Sequence, residues 1–217
     1  EAANDFSLLQ THPRTVERVR EAMARAQTTR VADPMIARDV YLPKLDGLLY
    51  GHGPEQGYVR GRRFLHPELR LAFAVPDGYR MQNGQTQVTA RGPGGILVFA
   101  GAPKAEGRDP ARYLRDVWAR GARLEALTRI DVNGMPGATA LARANVQGGR
   151  RTVRLAVVRY DRETSYRFLF VPSDAGPPER LADTVLGAFR KLSAAEARGL
   201  EPRRVRLYTV QPGDTQQ

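Results

Sequence analysis

The 217-residue chain carries 34 Lys and Arg against 23 Asp and Glu, a net charge of +11, and no cysteine. Disulfides and thiolate chemistry are excluded, and no apolar run approaches the roughly 20 residues of a membrane span. The hydrophobic fraction of 41% suffices for one large or two small domains.

The charge is uneven. Residues 1–57 carry 7 basic and 8 acidic residues, and residues 58–217 carry 27 and 15, a local net charge of +12. A basic region fits an anionic partner such as nucleic acid, anionic lipid or a cell-wall polymer. Only Lys44, Lys104 and Lys191 are lysines, and the 31 arginines are scattered rather than blocked. Coding bias explains that usage as simply, and nucleic acid is disfavoured for want of a clustered patch.

Thr11-His12-Pro13 followed by residues 14–27 predicts a helix, with Pro13 in its first turn. Val16, Val19, Met23 and Ala26 give it an apolar stripe. Residues 28–38 read as a loop, and 39–50 as a short amphipathic stretch that Pro43 keeps from being a long helix. Residues 51–57 are turn material and mark a boundary. From Tyr58 the pattern is β. Strands are expected at 61–66, 69–75, 85–90, 96–100, 127–132 and 138–146. Asp109 and Pro110 open a helix that buries Tyr113, Leu114, Val117 and Trp118.

Residues 151–160 and 164–171 form a hairpin around Asp161-Arg162-Glu163. Tyr166, Phe168 and Phe170 share one face, Leu169 and Val171 the other, so the hairpin should be central and covered on both sides. Residues 177–192 predict a second helix, burying Leu181, Val185, Leu186 and Phe189. Ser193 and Glu196 have capping-box spacing for a third, and 203–211 alternate as a last strand. The class is α+β: a mainly antiparallel sheet with packed helices, preceded by an N-terminal helical segment. The expected divisions are 1–57, 58–200 and 201–217.

No catalytic constellation is visible. His12, His52 and His66 lack the spacing of a zinc helix, and no lysine precedes Ser or Thr as a phosphate loop requires. No serine lies in a nucleophile-elbow frame. Residues 92–95 read as a turn, and Asp161 and Glu163 as solvated turn residues. Tyr166, Phe168 and Phe170 could stack nucleobases, but core packing is the simpler use.

Two terminal motifs add a resemblance. Thr11-His12-Pro13 with Arg18, opening a helix, resembles the end of the catalytic domain of HtpX-like zinc metallopeptidases, peptidase family M forty-eight. Residues 45–51 and 56–67 resemble the extended C-terminal region of bacterial, periplasmic members. The resemblance implies a parent enzyme that hydrolyses peptide bonds with zinc-activated water and a Glu base. Its zinc ligands and Glu lie upstream of the Thr-His-Pro element. This chain would then be an internal piece, a non-catalytic accessory part with no catalytic residue, metal ligand or cofactor of its own. His12 and Arg18 would lie beside the zinc cleft as outer residues. The implied location is the periplasm or cell envelope, and the implied partners are the missing catalytic domain and protein substrates.

At the other end, Tyr208-Thr209-Val210-Gln211-Pro212-Gly213-Asp214-Thr215 looks like the opening of a LysM module, which would add peptidoglycan. The stripe Val16, Val19 and Met23 could alternatively pair two copies of the chain. The middle is similar in pattern to PsbP/Mog-one-like sandwiches, an analogy of fold alone. The other functional expectation is a stand-alone basic module that binds an anionic polymer.

Overall fold

The computed structural model describes residues 15–28, 37–146, 149–173, 179–211 and 213–214. In chain order come α1 (Thr15–Thr28), α2 (Arg38–Leu45), β1 (Tyr58–Arg60), β2 (Arg63–His66), β3 (Leu71–Ala74), β4 (Arg80–Asn83), β5 (Gln87–Gly92) and β6 (Gly95–Gly101). Next are α3 (Pro110–Tyr113), β7 (Leu124–Val132), β8 (Met135–Val146), β9 (Gly149–Arg159), β10 (Ser165–Pro172), α4 (Glu179–Ala188), β11 (Arg190–Lys191) and α5 (Ala194–Arg198). The fold is α+β, with every strand pair antiparallel.

Two compact units are present, Glu1–Leu45 and Asp46–Gln217. The division falls before the turn material at 51–57, where the change in composition had placed it. Residues 46–50 belong with the β-rich unit because the C-terminal segment pairs with them. Gly47 N–H donates to Val205 O, Val205 N–H to Leu48 O, and Tyr50 N–H to Arg203 O. The expected strand over 203–211 is reduced to this pairing, with one bridge between Leu49 and Arg204. In the first unit, α2 buries none of its residues. On α1, Val19 and Met23 are 53% and 60% exposed.

The β-rich unit contains a four-stranded sheet, β1-β2-β3-β11, and a seven-stranded sheet, β4-β5-β6-β10-β9-β8-β7. The middle strand of the large sheet is β10, paired with β9 on one side and β6 on the other. Its alternation explains the position. Phe168 and Phe170 enter one apolar cluster with Phe64 and Phe73 of the small sheet and with Leu181, Val185 and Phe189. Leu169 and Val171 enter a second cluster on the opposite face. A strand buried on both faces belongs at a sheet centre. The aromatic face is core, with Phe168 ringed by Phe99, Phe189 and Phe73 at 5.1, 5.1 and 6.4 Å.

The second cluster is made by small residues. Ala138, Ala140 and Ala142 of β8 leave room for Tyr113 and Leu114. Asp109 caps α3 as expected, accepting the N–H groups of Ala111 and Arg112. The helix then widens into a π turn, Leu114–Trp118, closed by Ala119 N–H on Leu114 O. The Arg167 guanidinium of β10 sits 5.6 Å from the Trp118 ring centre and holds the turn to the sheet.

Periodicity missed the marginal strands. β4 is a half-exposed, polar edge strand, and β11 has two residues. The helix expected over 177–192 ends at Ala188. The Asn133 side chain donates to Gly187 O and Phe189 O, so terminal carbonyls are satisfied from outside the helix.

The capping box at Ser193 is present, with Glu196 also paired to Arg190 at 2.8 Å. That pairing, with the Ser193 donors, holds the Glu196 carboxyl at about 2. A depressed carboxyl stabilises the fold above its ordinary value and loses that contribution as pH falls toward about 2. Ser193→Ala should cost about 1 kcal/mol at neutral pH. Glu196→Gln should lower the melting temperature at pH 7 and close that gap as the medium is acidified. Thermal melts across the pH series check both.

Candidate functional site

The two residues that the family resemblance singled out are not brought into a described site. His12 lies outside the described residues. Arg18 is on α1, and its side chain lies outside the described set. His66 is buried at the end of β2, where Nδ1 accepts the Leu69 N–H. Burial pushes its imidazole below the ordinary value, so it serves as a neutral structural acceptor. Asp161 is a turn residue, its carboxylate accepting the N–H groups of Glu163 and Thr164.

Tyr50, His52, Tyr58, Arg60, Glu201 and Arg203 line a small hollow of about 130 Å³. The Tyr58 hydroxyl is buried and has no hydrogen-bond partner among the described residues. Arg123, Arg143 and Arg150, with Glu125, line a larger hollow of about 520 Å³. It adjoins the bulge between Glu125 and Thr128, where Ala126 has φ +51°.

The most developed site is a hollow of about 640 Å³. Four segments distant in sequence meet there. Gly107 comes from the loop before α3, Gly134, Met135 and Pro136 from the β7–β8 turn, Arg159–Arg162 from the β9–β10 turn, and Lys191 from β11. The topology dictates the meeting. The turns lie at the corresponding ends of neighbouring strands, and β11 brings Lys191 from the small sheet.

Each segment is fixed. Asn133 ties the β7–β8 turn to the end of α4. Gly107 N–H donates to Arg162 O, and Tyr160 N–H to Thr164 O. The Tyr160 hydroxyl donates to Arg70 O at 2.8 Å, and its ring packs edge-on to Tyr166. Lys191 Nζ rests 4.6 Å from the centre of that ring, a cation–π contact that restrains a flexible side chain.

The lining carries three cations, Arg159, Arg162 and Lys191, and one carboxylate, Asp161. None of the three makes an ion pair among the described residues. Burial pushes the Asp161 carboxyl up, but the Thr164 and Glu163 donors and the Lys191 charge outweigh it and hold it below its ordinary value. Its Oδ1 is engaged by the turn. The surplus is therefore two positive charges around a concave surface, an arrangement suited to attracting an anion.

Sequence reasoning missed this group because it looked for a run. Arg159 and Arg162 are three apart on a hairpin, but Lys191 is close only in space. The available signal was Lys191 itself, one of three lysines, in a segment the pattern had placed in a helix.

No protein-family model matches the chain. No curated protein matches it. Among solved structures it is similar to a crystal structure from Bacteroides thetaiotaomicron VPI-5482, at 14% identity and TM-score 0.47, over 64% of this chain and 51% of that one. The chain thus spans about half the length of that structure. It is also similar to the solution structure of cyanobacterial PsbP (CyanoP) from Synechocystis sp. PCC 6803, at 18% identity and TM-score 0.42, over 64% of this chain and 99% of that one.

Proposed function

We propose that the chain is the non-catalytic C-terminal accessory part of a cell-envelope zinc metallopeptidase, presenting substrates or docking the enzyme. The observation that carries this reading is α1. It follows directly on Thr11-His12-Pro13, belongs to a unit separate from the β-rich unit, and exposes Val19 and Met23. An exposed apolar stripe on a helix calls for a cover, and in this proposal the cover is the missing catalytic domain. His12 and Arg18 would stand beside its zinc cleft. Among the described residues no group of three or more His, Asp or Glu could hold a metal ion. No helix among the described residues is long and apolar enough to cross a membrane.

The reading frame upstream of Glu1 tests the proposal directly: it should encode a His-Glu-x-x-His helix. The purified chain should neither bind zinc tightly nor cleave casein. Stoichiometric tight zinc with caseinolysis by this chain alone would sink the non-catalytic role. Val19→Glu should leave the thermal melt of the β-rich unit unchanged and abolish any self-association seen by size exclusion. Cooperative unfolding of the whole chain by that substitution would mean that α1 already has its cover.

A second reading, a basic module for an anionic polymer, is favoured by the two arginine-lined hollows. Anisotropy titrations with RNA, DNA and teichoic-type polymers across a salt series test it. A steep loss of affinity with salt is the expected signature, and no binding at low salt would remove it.

A further inference from the structure

We infer that the hollow formed by Gly107, the β7–β8 turn, the β9–β10 turn and Lys191 is a binding site for the phosphoryl group of an anionic ligand. The inference deepens the second functional reading and rests on it for the polymer as a source of that group.

Three cations held around one hollow repel one another, and no carboxylate among the described residues pairs with them. Asp161 lowers the local charge, and its Oδ1 accepts two backbone N–H groups of its own turn. An anion placed in the hollow relieves that repulsion.

The group is specified by charge, shape and size. A phosphoryl monoester carries about −1.5 to −2 at neutral pH, which matches the net surplus of the lining. Arg159 and Arg162 supply planar forks that can grip phosphate oxygens two at a time, and Lys191 supplies a point charge. A carboxylate offers half the charge. The volume of about 640 Å³ leaves room for more than one phosphoryl group. Preorganisation reduces the entropy lost on binding. Lys191 is already held over Tyr160, and the turn carrying Arg162 is pinned by Gly107.

The phosphoryl group could be free, as in pyrophosphate, or part of a phosphodiester chain, where two successive phosphates of one charge each would match the surplus. The test is calorimetric titration of the full chain with inorganic pyrophosphate, a short oligothymidylate and acetate, at matched ionic strength. Pyrophosphate should bind and acetate should not. The triple variant Arg159→Gln, Arg162→Gln, Lys191→Gln should weaken pyrophosphate by about tenfold or more, since hydrogen bonds to charged groups are the strong ones. The triple variant Arg123→Gln, Arg143→Gln, Arg150→Gln in the other hollow should change it by less than about twofold. The double variant Arg159→Gln, Arg162→Gln keeps the Lys191–Tyr160 contact and should show most of the loss with an unchanged melt.

Pyrophosphate binding without oligothymidylate binding would support the site and remove the polymer. Oligothymidylate binding that survives the first triple variant would overturn the site and leave the polymer reading standing. No pyrophosphate binding at millimolar concentration, or equal loss in both triple variants, would also overturn the site.

Discussion

Phe168→Ala should lower the unfolding free energy by about 3–5 kcal/mol, a large fraction of the roughly 5–15 kcal/mol that holds an ordinary domain together. Phe168 is fully buried on the middle strand of the large sheet. Its ring touches the rings of Phe73, Phe99, Phe170 and Phe189, which come from both sheets and from the segment after α4. Truncation leaves a void walled by elements with little freedom to close it. The segment leading into β1 is tied to β4 through Asn83, whose side chain donates to Gln56 O and Gly57 O. Leu169→Ala, on the other face of the same strand, should cost less because Leu169 is only half-buried. Urea titrations followed by tryptophan fluorescence and circular dichroism give both values. Equal costs would mean that the two faces of β10 contribute alike and that the aromatic cluster has no special place.

Gly95→Ala should cost about 4 kcal/mol, in the range reached when a special backbone position is filled. Gly95 opens β6 after the two-residue Pro93-Gly94 loop and pairs with both Gly92 and Pro172. Its φ is +125°, a region that side-chain-bearing residues rarely adopt. An added methyl would also lie 2.0 Å from Val171 O and 2.9 Å from Ser173 N. Those are backbone atoms of β10 and its exit, so rotamer changes cannot relieve the clash. Gly101, at the other end of β6, has open space around the same methyl and no positive φ. Gly101→Ala should therefore stay within about 1 kcal/mol of the parent. A melt series comparing the two substitutions isolates the conformational demand from the loss of glycine itself.

The central place of the 151–171 hairpin was legible because burial acts on both faces of its strands. The alternation in 151–171 places Phe168 against Leu169 and Val157 against Val158, and such residues lie in opposite clusters. Caps were legible for a similar reason: Asp109 and Ser193 act on N–H groups two or three residues away, within reach of a sequence motif. What failed was non-local. Asn133 ends α4 from more than fifty residues away, and nothing in 177–192 announces that acceptor pair being taken. The boundary failed because 46–50 has no strong pattern of its own and is ordered by pairing with 203–207. The phosphoryl site failed because charge in a sequence is read along a line, while Arg159, Arg162 and Lys191 meet through sheet order and the position of β11.

The pairing of 46–50 with 203–207 also fixes how the β-rich unit would bear a load. Residue 46 lies opposite 207, and residue 50 opposite 203, as the bonds from Leu207 N–H to Asp46 Oδ1 and from Tyr50 N–H to Arg203 O show. The chain before residue 46 and the chain after residue 207 therefore run on from the same end of the pairing. Tension applied between them would peel these bonds one after another, in unzipping rather than shear. The aromatic core would feel no force until the last of them had parted. Under such a load the seam would give way first, while the sheets and the basic hollow kept their shape.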